Sequence, residues 1–277
     1  MPELPEVETI VRDLAPRLEG RRLSRPRLFH PHVLRETTPR RFLSAVRDRT
    51  VTRLTRRAKH AVLELDSGNR VVIQPRMTGS LLVLGEAPTG DDRRYAVFTA
   101  RLEPRAWFLV RDIRRLGTIT LLDEAGWSTY TGRIGPEPLA PDFTAAHFAE
   151  RLAGTRQAIK KVLMDQARVA GVGNIYANEA LWRARIDPSL PADRLTPRAT
   201  GALHRHMRAI LEAAVRSRGT TVRDYRTGTG QPGTYQAGLD VYDRGGLPCH
   251  RCGTPLATTH AIDGRQTTFC WRCQGCA

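Results

Sequence analysis

Ala61-Val62-Leu63-Glu64-Leu65, Asp66-Ser67-Gly68-Asn69 and Arg70-Val71-Val72-Ile73-Gln74 form the stretch whose reading decides the fold. Two short runs rich in valine, isoleucine and leucine flank four turn-forming residues, which is the pattern of a β-hairpin. Working outward, strand-like runs recur at Leu81 to Leu84, Tyr95 to Arg101, Trp107 to Arg111 and Thr118 to Leu122. No helical crossover separates them, so residues from about 21 to 123 read as an antiparallel sandwich or barrel and not as a doubly wound sheet. Upstream, Leu4, Val7, Ile10, Val11, Leu14 and Leu18 recur at helical spacing, with Pro5 and the acids Glu3, Glu6 and Glu8 in the first turn. The chain therefore opens with an amphipathic helix.

Downstream, Gly132-Arg133-Ile134-Gly135-Pro136-Glu137-Pro138 ends the β pattern and reads as a linker. Helical periods follow. Ile159, Val162 and Leu163 share a face, Ile175 to Trp182 makes a second helix, and Pro197 to Arg218 a third. Residues 219 to 240, rich in glycine and threonine, read as a long loop. There is no internal repeat.

Lysine and arginine number 44 against 28 acids in 277 residues, a net charge of +16. That balance points to a polyanion, with nucleic acid ahead of an anionic membrane. The apolar runs span only a few positions, which excludes a membrane span. The acidic start, Met1-Pro2-Glu3-Leu4-Pro5-Glu6, has no apolar core of a signal peptide, so a cytoplasmic location is expected.

All five cysteines fall in the last 29 residues. Cys249-x2-Cys252 and Cys270-x2-Cys273 have the spacing of a four-thiolate zinc site, with Cys276 as a spare thiol. Such a site is coordinatively closed. One structural Zn2+ and no catalytic metal are expected, and catalysis must come from elsewhere. Gly171-Val172-Gly173-Asn174 precedes an apolar helix, where backbone N–H groups and the Asn174 amide can hold a phosphate or simply cap the helix. Arg265 lies between the cysteine pairs, where a hairpin tip would present its guanidinium to a phosphate, although a lone arginine is usually just solvated. Lys59, Met77, Arg114 and Leu116 carry no signal of their own beyond basic patch or packing.

Taken together, Met1-Pro2-Glu3-Leu4-Pro5-Glu6-Val7-Glu8-Thr9, Arg56-Arg57-Ala58-Lys59, Leu163-Met164-Asp165-Gln166, Gly171-Val172-Gly173-Asn174-Ile175-Tyr176-Ala177 and the terminal cysteine module resemble the formamidopyrimidine-DNA glycosylase family. The resemblance runs in unbroken order from residue 1 to about 275. It implies an α+β multidomain fold: a catalytic domain of N-terminal helix plus antiparallel β-sandwich at 1–135, a helix two-turn helix DNA-binding domain with a lesion-capping loop at 136–238, and a zinc finger at 239–277. Double-stranded DNA carrying oxidised bases or abasic sites would be bound by a monomer, nucleoid-associated through that binding.

The resemblance further implies that Pro2, exposed once Met1 is removed, is the nucleophile, with Glu3 as its acid partner. Lys59 would support β-elimination and Arg265 δ-elimination. Asn174 and Arg265 would hold the backbone around the lesion, Lys160 would lie near the flipped base, and Met77, Arg114 and Leu116 would fill the space that the base vacates. An α-amine titrates about 2.5 units below lysine, so far more of it is free base at neutral pH. Attack by a secondary amine yields a permanently cationic iminium.

The chain departs from the family pattern in several places. Asp112-Ile113-Arg114-Arg115-Leu116-Gly117 carries an aliphatic wedge where an aromatic one is usual. Gln74-Pro75-Arg76 precedes Met77, Asp91-Asp92-Arg93-Arg94 replaces a DNA-contacting histidine, and Thr155 replaces a lysine. Residues 219 to 233 and Leu4 match the purine-specific branch, so oxidised purines lead. The rivals are an endonuclease VIII-like enzyme for oxidised pyrimidines and a non-catalytic zinc-finger DNA-binding protein.

Overall fold

A computed structural model describes residues 2–221 and 227–275. They divide into two compact units, Met1–Gly132 with Ser217–Thr234, and Arg133–Arg216 with Tyr235–Ala277.

In the first unit the order is α1 (Leu4–Leu18), β1 (Arg22–Leu28), β2 (Leu34–Arg35), α2 (Pro39–Val46), β3 (Arg49–Arg57), β4 (His60–Leu65), β5 (Arg70–Gln74), β6 (Gly79–Leu84), α3 (Gly90–Arg94), β7 (Ala96–Leu102), β8 (Ala106–Asp112), β9 (Thr118–Leu122) and α4 (Glu124–Gly132). The expected hairpin is β4–β5, with Ala61 opposite Ile73 and Leu63 opposite Val71. Its turn closes where Gly68, at φ +81°, donates its N–H to the Leu65 carbonyl at 2.9 Å. Only glycine takes that left-handed conformation without strain.

The strands run β2-β9-β5-β4-β3-β1-β7-β8-β6. The sheet folds over at the β3–β1 pair, so Leu54, Leu63, Val71 and Ile119 from one half meet Leu23, Phe98, Phe108 and Val110 from the other in a single core. Val7, Ile10, Leu14 and Leu18 of α1 join that core. Of the sandwich or barrel that the strand pattern allows, this is the sandwich, as the resemblance implies. One pairing differs, since β2 runs parallel to β9 over two residues. On the outer face, Trp127 and Tyr130 of α4 cover Val62, Val72 and Leu122. Burial of both faces explains why β4 and β5 read as continuous apolar runs and do not alternate.

Ser217–Thr234 belongs to this unit, and its first residues bond to α1. Thr220 donates its N–H to Glu6 Oε1 at 2.8 Å, and Arg218 Nη2 reaches both Asp13 oxygens at 2.8 Å. The part of the expected capping loop at residues 222–226 lies outside the described residues.

The second unit contains α5 (Ala145–Leu152), α6 (Ile159–Met164), α7 (Asn174–Ala184), α8 (Pro197–Arg216) and the small hairpin β10 (Ala257–Thr259) and β11 (Thr267–Phe269). Leu203, Met207, Ile210, Leu211 and Ala214 bury one face of α8, which packs on α5 and α7. Glu179 of α7 is fully buried, and its carboxylate accepts the N–H groups of Asp240, Val241 and Tyr242 at 2.8–2.9 Å. Three donors converging on one buried carboxylate anchor the chain where it enters the hairpin module.

Candidate active site and metal centre

Pro2 and Glu3 are buried at the foot of α1. Glu3 is the N-cap, and its own N–H donates to Glu6 Oε2 at 2.8 Å in a capping box. Pro5 fits the first turn because its missing N–H has no helical partner to lose. The same Glu6 carboxylate therefore serves Glu3 through one oxygen and Thr220 through the other, joining the N-terminal turn to a segment 214 residues away. Glu3 and Glu6 stand at capping-box spacing, so the first half of this link was readable in sequence and the second was not.

Lys59 is buried in the tight turn between β3 and β4, the strands on which α1 packs. Arg56 ties that turn to the helix. Its Nη1 donates to the Ala58 carbonyl at 3.0 Å and its Nε to Glu8 Oε2 at 2.8 Å. On the other side the His60 ring lies between the Arg57 carbonyl at 3.1 Å and the Tyr130 hydroxyl at 3.2 Å.

Burial works to raise the Glu8 carboxyl, but Arg56 and Arg12 outweigh it and hold the group below its ordinary value. A depressed carboxyl contributes stability above the unfolded-state value and loses it as pH falls through the folded one. Urea unfolding should thus separate the wild type from Glu8→Gln at pH 7, and the gap should close below about pH 4. A gap unchanged between pH 7 and pH 3 would exclude this ion pair as its source.

Met77, Ile113 and Leu116 are exposed large apolar side chains, at 44 %, 42 % and 41 %. Arg114 Nη1 reaches Met77 Sδ at 3.4 Å. The organiser of this group is Asp112, which is almost fully buried. Its Oδ1 accepts the Thr78 hydroxyl and, at 3.2 Å, the Arg114 N–H; its Oδ2 accepts the Gly117 N–H at 2.7 Å. One carboxylate thus holds both the turn bearing Met77 and the loop bearing Arg114 and Leu116. Nothing in the local pattern distinguishes Asp112 from a solvated acid.

In the second unit, Asn174 opens α7 and its Nδ2 donates to the Gln266 carbonyl at 3.0 Å. Gln166 braces the preceding loop, accepting the Gly171 N–H at 2.9 Å and donating to the Met164 and Val172 carbonyls at 2.8 Å. Arg265 projects from the tip between β10 and β11 with its side chain 58 % exposed. Lys160, by contrast, is completely buried, and its Nζ bonds to Thr267 Oγ1 at 2.7 Å. Burial lowers its ammonium from the ordinary lysine value, with Asp263 opposing that shift.

The ligand atoms of Cys249, Cys252, Cys270 and Cys273 all lie within 4.8 Å of one another, and none of the four is in a disulfide. Tetrahedral Zn–S bonds place sulfurs about 3.8 Å apart, so this donor set fits the ion. Beneath it lie Trp182, Val241 and Leu256. Cys276 lies outside the described residues. No helix among the described residues is long and apolar enough to cross a membrane.

Residues 1–119 match the family model of the formamidopyrimidine-DNA glycosylase N-terminal domain, and residues 134–226 that of the formamidopyrimidine-DNA glycosylase H2TH domain. The chain is 42 % identical to the formamidopyrimidine-DNA glycosylase of Chloroflexus aurantiacus, covering 99 % of this chain and 98 % of the relative. It is 44 % identical to that of Thermomicrobium roseum, covering 99 % of each. Among solved structures, an Fpg mutant of Lactococcus lactis in complex with DNA containing Fapy-dG superposes at TM-score 0.91 with 31 % identity, covering 99 % of both chains. MutM (Fpg) of Thermus thermophilus superposes at 0.87 with 36 % identity and the same coverage.

Proposed function

The chain belongs to the formamidopyrimidine-DNA glycosylase family, and on that premise we propose that it removes oxidised purines from double-stranded DNA and cleaves the abasic sites left behind. The observation that carries the reading is the buried Pro2-Glu3 pair at the N-terminus of α1.

Pro2 is buried at the N-terminal end of α1, where its amine, exposed once Met1 is removed, would serve as the nucleophile. That amine attacks C1′ as the glycosidic bond breaks and its electron pair leaves with the base. Glu3, fixed by the capping box, supplies a proton as the sugar ring opens. The resulting iminium acidifies C2′. Loss of that proton expels the 3′-phosphate with the C3′–O electron pair, the β-step that Lys59 supports. Loss of the C4′ proton then expels the 5′-phosphate with the C5′–O pair, the δ-step assigned to Arg265. Asn174 and Arg265 hold backbone phosphates, and Met77, Arg114 and Leu116 occupy the space of the extruded base. Lys160 joins the DNA-binding set through the hairpin it contacts. Cys249, Cys252, Cys270 and Cys273 would hold one structural Zn2+, which cross-links the module and supplies no open coordination site. The protein acts as a monomer on nucleoid DNA in the cytoplasm.

The substrate class is tested by single-turnover nicking of duplexes that carry one 8-oxoguanine, one formamidopyrimidine or one oxidised pyrimidine. Purine lesions should be cut at least about tenfold faster, and equal rates would sink the purine assignment. Asp112→Asn should lower stability by about 1.5–3 kcal/mol in urea unfolding, because an amide nitrogen cannot accept the N–H bonds its carboxylate holds. It should also slow 8-oxoguanine excision more than nicking of a preformed abasic site. Equal slowing of both would remove Asp112 from base extrusion.

A further inference from the structure

Lys160 is a fully buried cation whose partners all lie on one short segment. Its Nζ donates to Thr267 Oγ1 at 2.7 Å and to the Gln266 carbonyl at 3.3 Å, and lies 3.5 Å from Asp263 Oδ1. An ammonium has three donors, so these acceptors account for its whole capacity. The segment they belong to carries Arg265. Asp263 Oδ1 accepts the Arg265 N–H at 3.1 Å, while its Oδ2, buried and without a hydrogen bond, lies 3.7 Å from Arg265 Nη1. Asn174 grips the same Gln266 carbonyl from α7.

We propose that Lys160 is a positioning residue for Arg265: through Asp263, Gln266 and Thr267 it fixes the hairpin tip so that the exposed guanidinium is presented in one place. This rests on the reading of Arg265 as the group that serves δ-elimination. A cation with no exposed surface cannot itself reach a flipped base, but it can set where the neighbouring arginine stands. Displacing a reacting group by about 1 Å costs on the order of a hundredfold in rate.

The test uses the full-length, zinc-loaded protein on a duplex with a single abasic site, and reads the ratio of δ- to β-elimination product. Both products arise from one covalent intermediate, so the ratio does not depend on how much of the enzyme is folded. Lys160→Met should lower it by roughly 10- to 100-fold. Because the effect runs through Arg265, the double variant Lys160→Met with Arg265→Ala should be no lower than Arg265→Ala alone. Asp263→Asn, which keeps an acceptor for the Arg265 N–H while removing the charge facing Lys160, should move the ratio the same way and decides the matter if Lys160→Met does not fold. A wild-type ratio in the folded single variants, or a double variant that falls by the product of the two single effects, overturns the proposal. An unchanged ratio in Arg265→Ala overturns the reading of Arg265, and the proposal with it.

Discussion

Replacing Pro2 by glycine should eliminate the covalent adduct that borohydride is expected to trap between this protein and duplex DNA carrying 8-oxoguanine opposite cytosine, and should lower strand cleavage by about a thousandfold or more. Glycine keeps a terminal amine in place, so the comparison isolates what the pyrrolidine contributes. A secondary amine forms an iminium with no proton to lose, and its charge is present throughout both eliminations. A primary amine forms an imine that must be protonated first. Proline also locks φ near −65°, so the lone pair enters the site with one fewer torsion to fix. The α1 capping box, which uses the Glu3 N–H and the Glu6 carboxylate, survives the substitution, so the fold should be retained. An adduct that persists in the glycine protein would show that the pyrrolidine is not required, the adduct then lying on the remaining terminal amine or on a lysine. Lys59, buried in the neighbouring β3–β4 turn, is the first to test by Lys59→Ala.

The parts of the molecule that were readable from residues alone share a physical property: their signals are local. The β4–β5 hairpin declares itself because its turn residues and apolar runs are adjacent. The α1 stripe does so through helical period, and the metal centre through two Cys-x2-Cys pairs whose short loops allow little besides a shared ion. The strands β1 and β3 are harder to see, since arginines occupy much of their exposed face and the two buried residues of each, Leu23 and Pro26 in β1 and Val51 and Leu54 in β3, stand three apart across a register shift and break the alternation. Side chains whose role depends on distant partners were not legible. Glu6 looks like a first-turn acid until Thr220 is seen to bond to it. Asp112 looks solvated until Thr78, Arg114 and Gly117 converge on it. Resemblance places Lys160 near the flipped base, while in the fold its ammonium is spent on the segment 263–267.

Stripping the metal should cause the most widespread change of any single perturbation. The hairpin module has two three-residue strands and a core of Trp182, Val241, Leu256 and the cysteines themselves, too little apolar surface to fold without a cross-link. Four-thiolate zinc sites supply about 10–16 kcal/mol to folding, several times what this cluster can offer by burial. Incubation with a strong chelator, or Cys270→Ser, should therefore unfold residues from about 244 to 275 and release the constraint on Arg265. Strand cleavage of lesion DNA should fall by at least about a hundredfold and recover when Zn2+ is restored to the chelated wild type but not to the serine variant. The sandwich core around α1 has no cysteine and should keep its β-sheet circular dichroism throughout. Trp182 and Trp271 report the change directly, since the first packs beneath the sulfurs and the second follows Cys270 in sequence. If cleavage and tryptophan fluorescence both stay constant after one equivalent of zinc has been removed, the four cysteines do not hold this module together by metal. The loss of activity in Cys270→Ser would then have to come from packing alone.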